Sequence, residues 1–194
     1  MIHFITKSKK IAIGCLVILI ILTLLLLVVY LILHSNDQDY VAKETLINQS
    51  LPNFSLQVLG KEQQIVNQNF LNNKVTLINI WSVKCRFCKR EHYLLFDIVK
   101  YMKGKEINFI GLNCNNSEDQ AILWLEKHGN PYDINLFDPG LMLVTELEVG
   151  GLPDLLIIDS YGKIQYRYVG IITQKVWQQE IKPVIDQLYL TISH

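Results

Sequence analysis

The sequence predicts an α/β domain in which helices cover both faces of a central mixed sheet, preceded by one N-terminal membrane-spanning helix. Three observations carry that prediction. Ile11 to Leu33 is an uncharged, almost wholly apolar run of 23 residues. Downstream of it, β-branched and apolar runs alternate with helical patterns, the order expected of strand–helix–strand units. A tight turn at Ser160-Tyr161-Gly162-Lys163 then joins two such runs directly, so a hairpin adds antiparallel pairing before a closing helix.

As a helix the apolar run spans roughly 34 Å, enough for a bilayer core. No small-residue cleavage site follows in Tyr30 to Gln38, so it reads as a retained anchor over residues 11–33 rather than a removed signal. Cys15 sits inside it as a lipid-facing small hydrophobe. Lys7, Lys9 and Lys10 flank only its N-terminal end, and His34 to Asp39 carries no Lys or Arg. The positive-inside rule therefore places residues 1–10 in the cytoplasm and the rest of the chain outside it, on the periplasmic side of a bacterial inner membrane. Residues 34–50 are polar and read as a tether, with Tyr40, Val41 and Leu46 available to dock, and the folded domain is expected over residues 51–194.

Within that domain, strands are expected at Phe54 to Val58, Val75 to Trp81, Ile107 to Asn113, Leu155 to Asp159 and Ile164 to Val169. A helix beginning near Cys85 presents Leu94, Leu95, Ile98, Val99 and Met102 on one apolar face. Ser117 with Gln120 forms a capping box for a second helix, through His128, that buries Ile122 and Leu125. Thr173 caps the last helix, which Pro183 should kink. A short helix over Leu141 to Leu147 completes the set.

Half the residues are hydrophobic and the formal net charge is zero, so neither a disordered chain nor a nucleic-acid-binding surface is indicated. Beyond the three N-terminal lysines the balance is fifteen Lys/Arg against eighteen Asp/Glu, a mildly acidic domain.

The chemistry concentrates at Cys85-Arg86-Phe87-Cys88, where a strand gives way to a helix. Unpaired N–H groups and the macrodipole at a helix N-terminus stabilise a thiolate on the first cysteine, and Lys84, Arg86, Lys89 and Arg90 act in the same direction. Cys85 is the expected nucleophile, and Cys88, a turn further on, the resolving thiol of a disulfide exchange. A zinc site drawing on Cys85, Cys88, His92 and Cys114 is the competing reading, weakened by the lack of a second close-spaced pair. A purely structural disulfide is weaker still, because so short a loop constrains the unfolded chain little. Glu91 lies three residues past Cys88 on the same helical side, so its carboxylate can exchange protons with that thiol; the alternative is a solvated charge paired with Lys84 or Lys89. His92 reads as a packing or surface residue and Cys114 as a buried small hydrophobe. Trp124, Trp177, Tyr166 and Tyr168 read as core or surface aromatics.

The stretch Leu77-Ile78-Asn79-Ile80-Trp81-Ser82-Val83-Lys84-Cys85-Arg86-Phe87-Cys88-Lys89-Arg90-Glu91-His92 resembles the active-site segment of DsbE (CcmG) proteins, the membrane-tethered thioredoxin-like reductants of cytochrome c maturation. Gly111-Leu112-Asn113, Asp138-Pro139-Gly140, Val149-Gly150-Gly151-Leu152-Pro153-Asp154, Leu156-Ile157-Ile158-Asp159 and Trp177 to Pro183 follow in the family's order. The resemblance implies a thioredoxin-like fold and a redox-active Cys85–Cys88 disulfide, with no metal and no other cofactor. It also implies a cis proline at Pro153, between Leu152 and Asp154, where extended substrate pairs. Glu91, and Asp154 by position, are implied as proton carriers, and Trp81, Asn79, Lys84 and Arg86 as residues that tune the pair. The implied partners are apocytochrome c or a cytochrome c maturation subunit as client and a transmembrane thiol carrier of the DsbD or CcdA type as electron source. Three positions depart from the family pattern. Lys84 stands where Trp is common, Arg86-Phe87 lacks the usual proline, and Asp154 replaces Glu. The rival readings are an anchored thioredoxin of ResA or TlpA type, a disulfide-forming oxidant, and a non-catalytic assembly or metal-binding module.

Overall fold

The computed structural model of the protein describes residues 2–34, 46–71 and 73–192, in two compact units. The first contains helix α1 (Ile2–His34), whose apolar side chains from Leu16 to Tyr30 are exposed. Thr23 returns its hydroxyl to Ile20 O at 2.9 Å, so that polar side chain is satisfied within the helix. Among the described residues, whose side chains in α1 run from 14 to 30, no helix is long and apolar enough to cross a membrane. Tyr40, Val41 and most of the expected tether lie outside the described residues.

The second unit is built on a seven-stranded sheet in the order β2-β1-β5-β4-β3-β6-β7. Its strands are β1 (Ser55–Val58), β2 (Lys61–Asn67), β3 (Val75–Trp81), β4 (Ile107–Cys114), β5 (Ile134–Asp138), β6 (Asp154–Ile158) and β7 (Ile164–Val169). β3 is parallel to β4 and β4 to β5, and every other pairing is antiparallel. The mixed sheet expected from the sequence is therefore present, with two strands beyond the five expected, β2 and β5. All seven residues of β3 are buried, which is why a continuous apolar run rather than an alternating one occupies the centre of the sheet. β2 is the opposite case, an edge strand in which only Val66 is buried, so its backbone pairing leaves no hydrophobic trace.

Helices α2 (Arg86–Met102) and α3 (Glu118–His128) make the two parallel crossovers. They share one sheet face with the closing helices, where Leu95, Ile98, Phe109, Trp177 and Ile181 form a core. The other face is covered by α4 (Met142–Glu146) and by Leu46 and Leu51. Leu46 is buried there, and Asn48 N donates to Ile164 O at 2.8 Å, so the packed chain starts ahead of residue 51. α3 opens with the capping box expected of Ser117 and Gln120. It buries Ala121 and Leu125, whereas Ile122 is only half-buried, its side chain reaching toward Gly60 at the β1–β2 turn. α4 is capped by Asp138, whose carboxylate accepts from Met142 N and Val144 N. Thr173 caps α5 (Gln174–Val176) as expected. The interruption expected near Pro183 takes the form of a π turn, Trp177–Ile181, between α5 and α6 (Lys182–Ile192), with Lys182 N reaching back to Trp177 O.

Gly111, paired with Asn79 across β3–β4, is glycine for want of space. A Cβ there would lie 2.3 Å from Asn135 Oδ1, 2.8 Å from the Tyr132 ring and 2.9 Å from Trp81 Nε1. Gly111→Ala is expected to cost about 1–3 kcal/mol by overpacking, read as a lowered urea midpoint; an unchanged midpoint would sink this packing account.

Candidate active site

Strand β3 ends at Trp81, and the three residues that follow are fixed before the cysteines are reached. Ser82 O accepts from Cys85 N at 3.0 Å, and Ser82 Oγ accepts from Lys84 N at 3.2 Å. Asn116, ahead of α3, takes the Ser82 hydroxyl at 3.0 Å and Val83 N at 3.3 Å on its carbonyl oxygen. Asn116 is itself paired with Asn113 at the end of β4. The loop is thus tied to the carboxyl ends of two parallel strands, where open α/β sheets place their sites.

Cys85 is the N-cap of α2, in extended conformation, and its sulfur accepts from Cys88 N at 2.9 Å. The two cysteines are joined by a disulfide, with Cα atoms 5.3 Å apart. Cys88 is buried and Cys85 half-buried, so the sulfur an attacking thiol or client can reach belongs to Cys85. On reduction the N–H groups of the first turn face that same sulfur, and their partial charge favours its thiolate. Lys84, Arg86, Lys89 and Arg90 all lie exposed around it, with Arg90 6.0 Å from the centre of the exposed Phe87 ring.

Glu91 occupies the buried stripe of α2, one turn beyond Cys88. Its Oε1 accepts from Asn79 Nδ2 at 3.0 Å and its Oε2 from Ile172 N at 2.8 Å, while Asn79 Oδ1 accepts from the buried Tyr132 hydroxyl at 3.2 Å. The solvated pairing with Lys84 or Lys89 weighed from the sequence is therefore replaced by a buried network. Burial pushes the Glu91 carboxyl up to about 7, against the two hydrogen bonds, which pull it down. A carboxyl that changes charge near neutrality suits proton exchange at physiological pH.

The Leu152–Pro153 peptide bond is cis. Register places this bond beside the cysteine loop: Asp154 pairs with Ile80, so Pro153 stands opposite Trp81, the last residue before that loop. Leu152 and Cys85 border the same apolar cluster, the one that contains Cys88 and Trp81. Asp154 is placed differently from Glu91. It follows Ile80 onto the opposite sheet face, fully buried, where both its oxygens accept from Arg167 Nε at 3.1 Å. Arg167 also donates to Glu148 O at 3.3 Å, so one guanidinium holds both ends of the cis-proline segment.

The four candidate zinc ligands are not brought together. Cys114 lies on the α4 face of the sheet, away from Cys88, and burial pushes its thiol up to about 12. His92 Nε2 donates to Gly129 O at 3.1 Å and packs edge-on to Trp124, with burial pulling its basicity down. Trp81 donates to Asn135 at 3.2 Å, stacks with Tyr132 and lies tilted against Trp124, which fixes the strand end. Ser82, Asn116, Tyr132 and Arg167 take part in the site without having been singled out from the sequence.

The comparisons with known proteins decide the family. The Redoxin family model matches residues 46–183. Thiol:disulfide interchange protein DsbE of Vibrio cholerae is 32% identical over 79% of this chain and 82% of its own length. Those of Escherichia coli K12 and Yersinia pestis are each 34% identical, over 75% and 86% of this chain and 77% and 88% of their own. The chain belongs to the DsbE family. Solved structures that share the fold alone include two from Corynebacterium species. A secreted thiol-disulfide isomerase from Corynebacterium glutamicum has TM-score 0.61 at 20% identity, over 74% of this chain and 86% of that one. A DsbF homologue from Corynebacterium diphtheriae has TM-score 0.61 at 20% identity, over 72% and 86%. The domain is thioredoxin-like, and as a DsbE member it is a protein-disulfide oxidoreductase.

Thiol exchange at this DsbE site balances without a further redox group. With Cys85 as nucleophile, its thiolate would attack one sulfur of a client disulfide, form a mixed disulfide and expel a client thiolate. Loss of the Cys88 proton and attack on Cys85 Sγ would then expel the second client sulfur. Two client thiols and the Cys85–Cys88 disulfide would result, and that disulfide is present in the structure.

Proposed function

We propose that this DsbE domain runs in the reducing direction outside the cytoplasm, opening disulfides of apocytochrome c or of a cytochrome c maturation subunit. The observation that carries the proposal is the asymmetric pair: a reachable Cys85 sulfur on a helix N-terminus, with a buried Cys88 one turn above a buried carboxyl. The DsbE relatives and the motif order of the whole domain support the choice of client. A transmembrane thiol carrier of DsbD or CcdA type returns the pair to dithiol, and the disulfide is the sole redox group required. Trapping tests the client directly. In the native host a Cys88→Ala variant should accumulate a mixed disulfide through Cys85 with one of the two named clients, identified by mass spectrometry. Capture confined to unrelated exported proteins would support a ResA- or TlpA-like role, or an oxidant, in place of this one.

The proposal includes a single-pass anchor through residues 11–33, with the catalytic domain periplasmic. The apolar run and the lysines on its N-terminal side alone support this reading. Protease added to spheroplasts should digest the domain; digestion only after lysis would reverse the topology.

A further inference from the structure

Beside the cysteine loop a groove of about 620 Å³ runs between the N-terminal end of α2 and the outer side of α3. We infer that it docks an acidic, extended segment of the client, adjoining the disulfide that Cys85 attacks. This inference rests on the proposed reduction of protein disulfides and adds a partner chemistry to it.

The groove begins at Val83 and Lys84, the residues directly before Cys85, so a chain lying in it passes the reacting sulfur. Its charged walls are Lys84 and Lys89 on one side and Lys127 on the other, all exposed, and no carboxylate lines it. The ion pairs among the described residues are Lys105 and Lys182 with Asp186, and Arg167 with Asp154, so none of these three lysines is neutralised by one. Two of the three acids of α3 are engaged elsewhere: Glu118 accepts from Gln57 and Gly60, and Glu126 lines a separate depression with Val58 and Ile134. The third, Asp119, is exposed in the first turn and does not line the groove. In a domain that is acidic outside its N-terminus, three uncompensated lysines around one groove form a local positive field aimed at the approach to Cys85.

The floor adds a second element of recognition. Leu123 is 64% exposed beside Trp124. A single exposed leucine means little, but this one sits on a rigid base: the Trp124 ring lies 5.5 Å from Trp81, 4.3 Å from His92 and 4.6 Å from His128. Positive walls over an apolar floor fit an acidic segment carrying an apolar side chain.

Two peptides with the same internal disulfide and the same leucine, one flanked by Asp and Glu and the other by Lys, test the inference. Pre-reduced, full-length protein in detergent is mixed with each, and single-turnover rates are read by mass spectrometry. At low salt the acidic peptide should react about tenfold faster or more, the lower end of steering effects. The gap should close to under about twofold near 1 M salt, where the Debye length is about 3 Å. Lys127→Glu, remote from the thiols on α3, should invert or erase the preference, with Lys127→Gln in between. Equal rates for the two peptides, a preference for the basic one, or a preference untouched in both Lys127 variants would overturn the docking site while leaving disulfide exchange standing. No exchange with either peptide would overturn both readings together.

Discussion

Cys85→Ser is expected to lower catalysed reduction of insulin disulfides by at least about 10³-fold, because no other cysteine thiol of the domain is both reachable and placed at a helix N-terminus. Cys88 is buried and Cys114 lies on the other sheet face with its thiol pushed up to about 12, so neither can substitute. Cys88→Ser should instead leave the first attack intact and stop turnover at the mixed disulfide. Alkylation separates the two thiols independently. In the reduced protein iodoacetamide should label Cys85 first, and preferential labelling of Cys88 would contradict the assignment of nucleophile.

Glu91→Gln is expected to raise stability and lower activity at the same time. The unfolded side chain loses its proton near 4.5 and the folded one near 7, since burial disfavours the anion. Between those values the native state binds the extra proton, so this contribution to stability is fully present below about pH 4.5 and is lost as pH rises through about 7. Removing the titration should flatten that fall, leaving the variant more stable than the parent at pH 8 by up to about 3 kcal/mol. The glutamine fits the network if the Asn79 amide turns over, offering its oxygen to the new NH2 and its nitrogen to the Tyr132 hydroxyl. If ionised Glu91 accepts the proton of Cys88, wild-type exchange should rise with pH through about 7, and the variant should lose that rise and run about 10 to 1,000-fold slower. Higher stability with unchanged turnover would leave Glu91 a structural residue and remove it from the chemistry.

The parts of the fold legible in the sequence are those whose burial leaves a periodic trace. β3 is apolar throughout because both its faces are covered, and the Ser117 box and the Ser160–Lys163 hairpin are local devices that act through neighbouring residues. β2 left no such trace, since Lys61, Glu62, Gln63 and Gln64 face solvent and the strand is held by backbone bonds to β1. β5 is five residues long, too short for alternation to stand out from the loops around it. At the site, the cysteines were legible because a helix N-terminus is a local feature, whereas their support is tertiary. The burial of Glu91 was nonetheless readable: Cys88, Glu91, His92, Leu95, Ile98 and Met102 recur at helical spacing, and a carboxylate on that stripe cannot face water. Arg167 carried no local signal. Its role exists only because β7 pairs with β6 and brings its guanidinium diagonally onto Asp154.

The central claim is that the Cys85–Cys88 pair cycles between dithiol and disulfide by passing its electrons to another disulfide. Intact-mass analysis of a single turnover tests it most directly, with pre-reduced protein mixed with one equivalent of a disulfide peptide. The expected result is a protein lighter by two hydrogens, with the new bond mapped between Cys85 and Cys88 and Cys114 still a thiol, and a peptide heavier by the same two hydrogens. A protein that keeps both hydrogens, or that acquires its new disulfide through Cys114, would contradict the account.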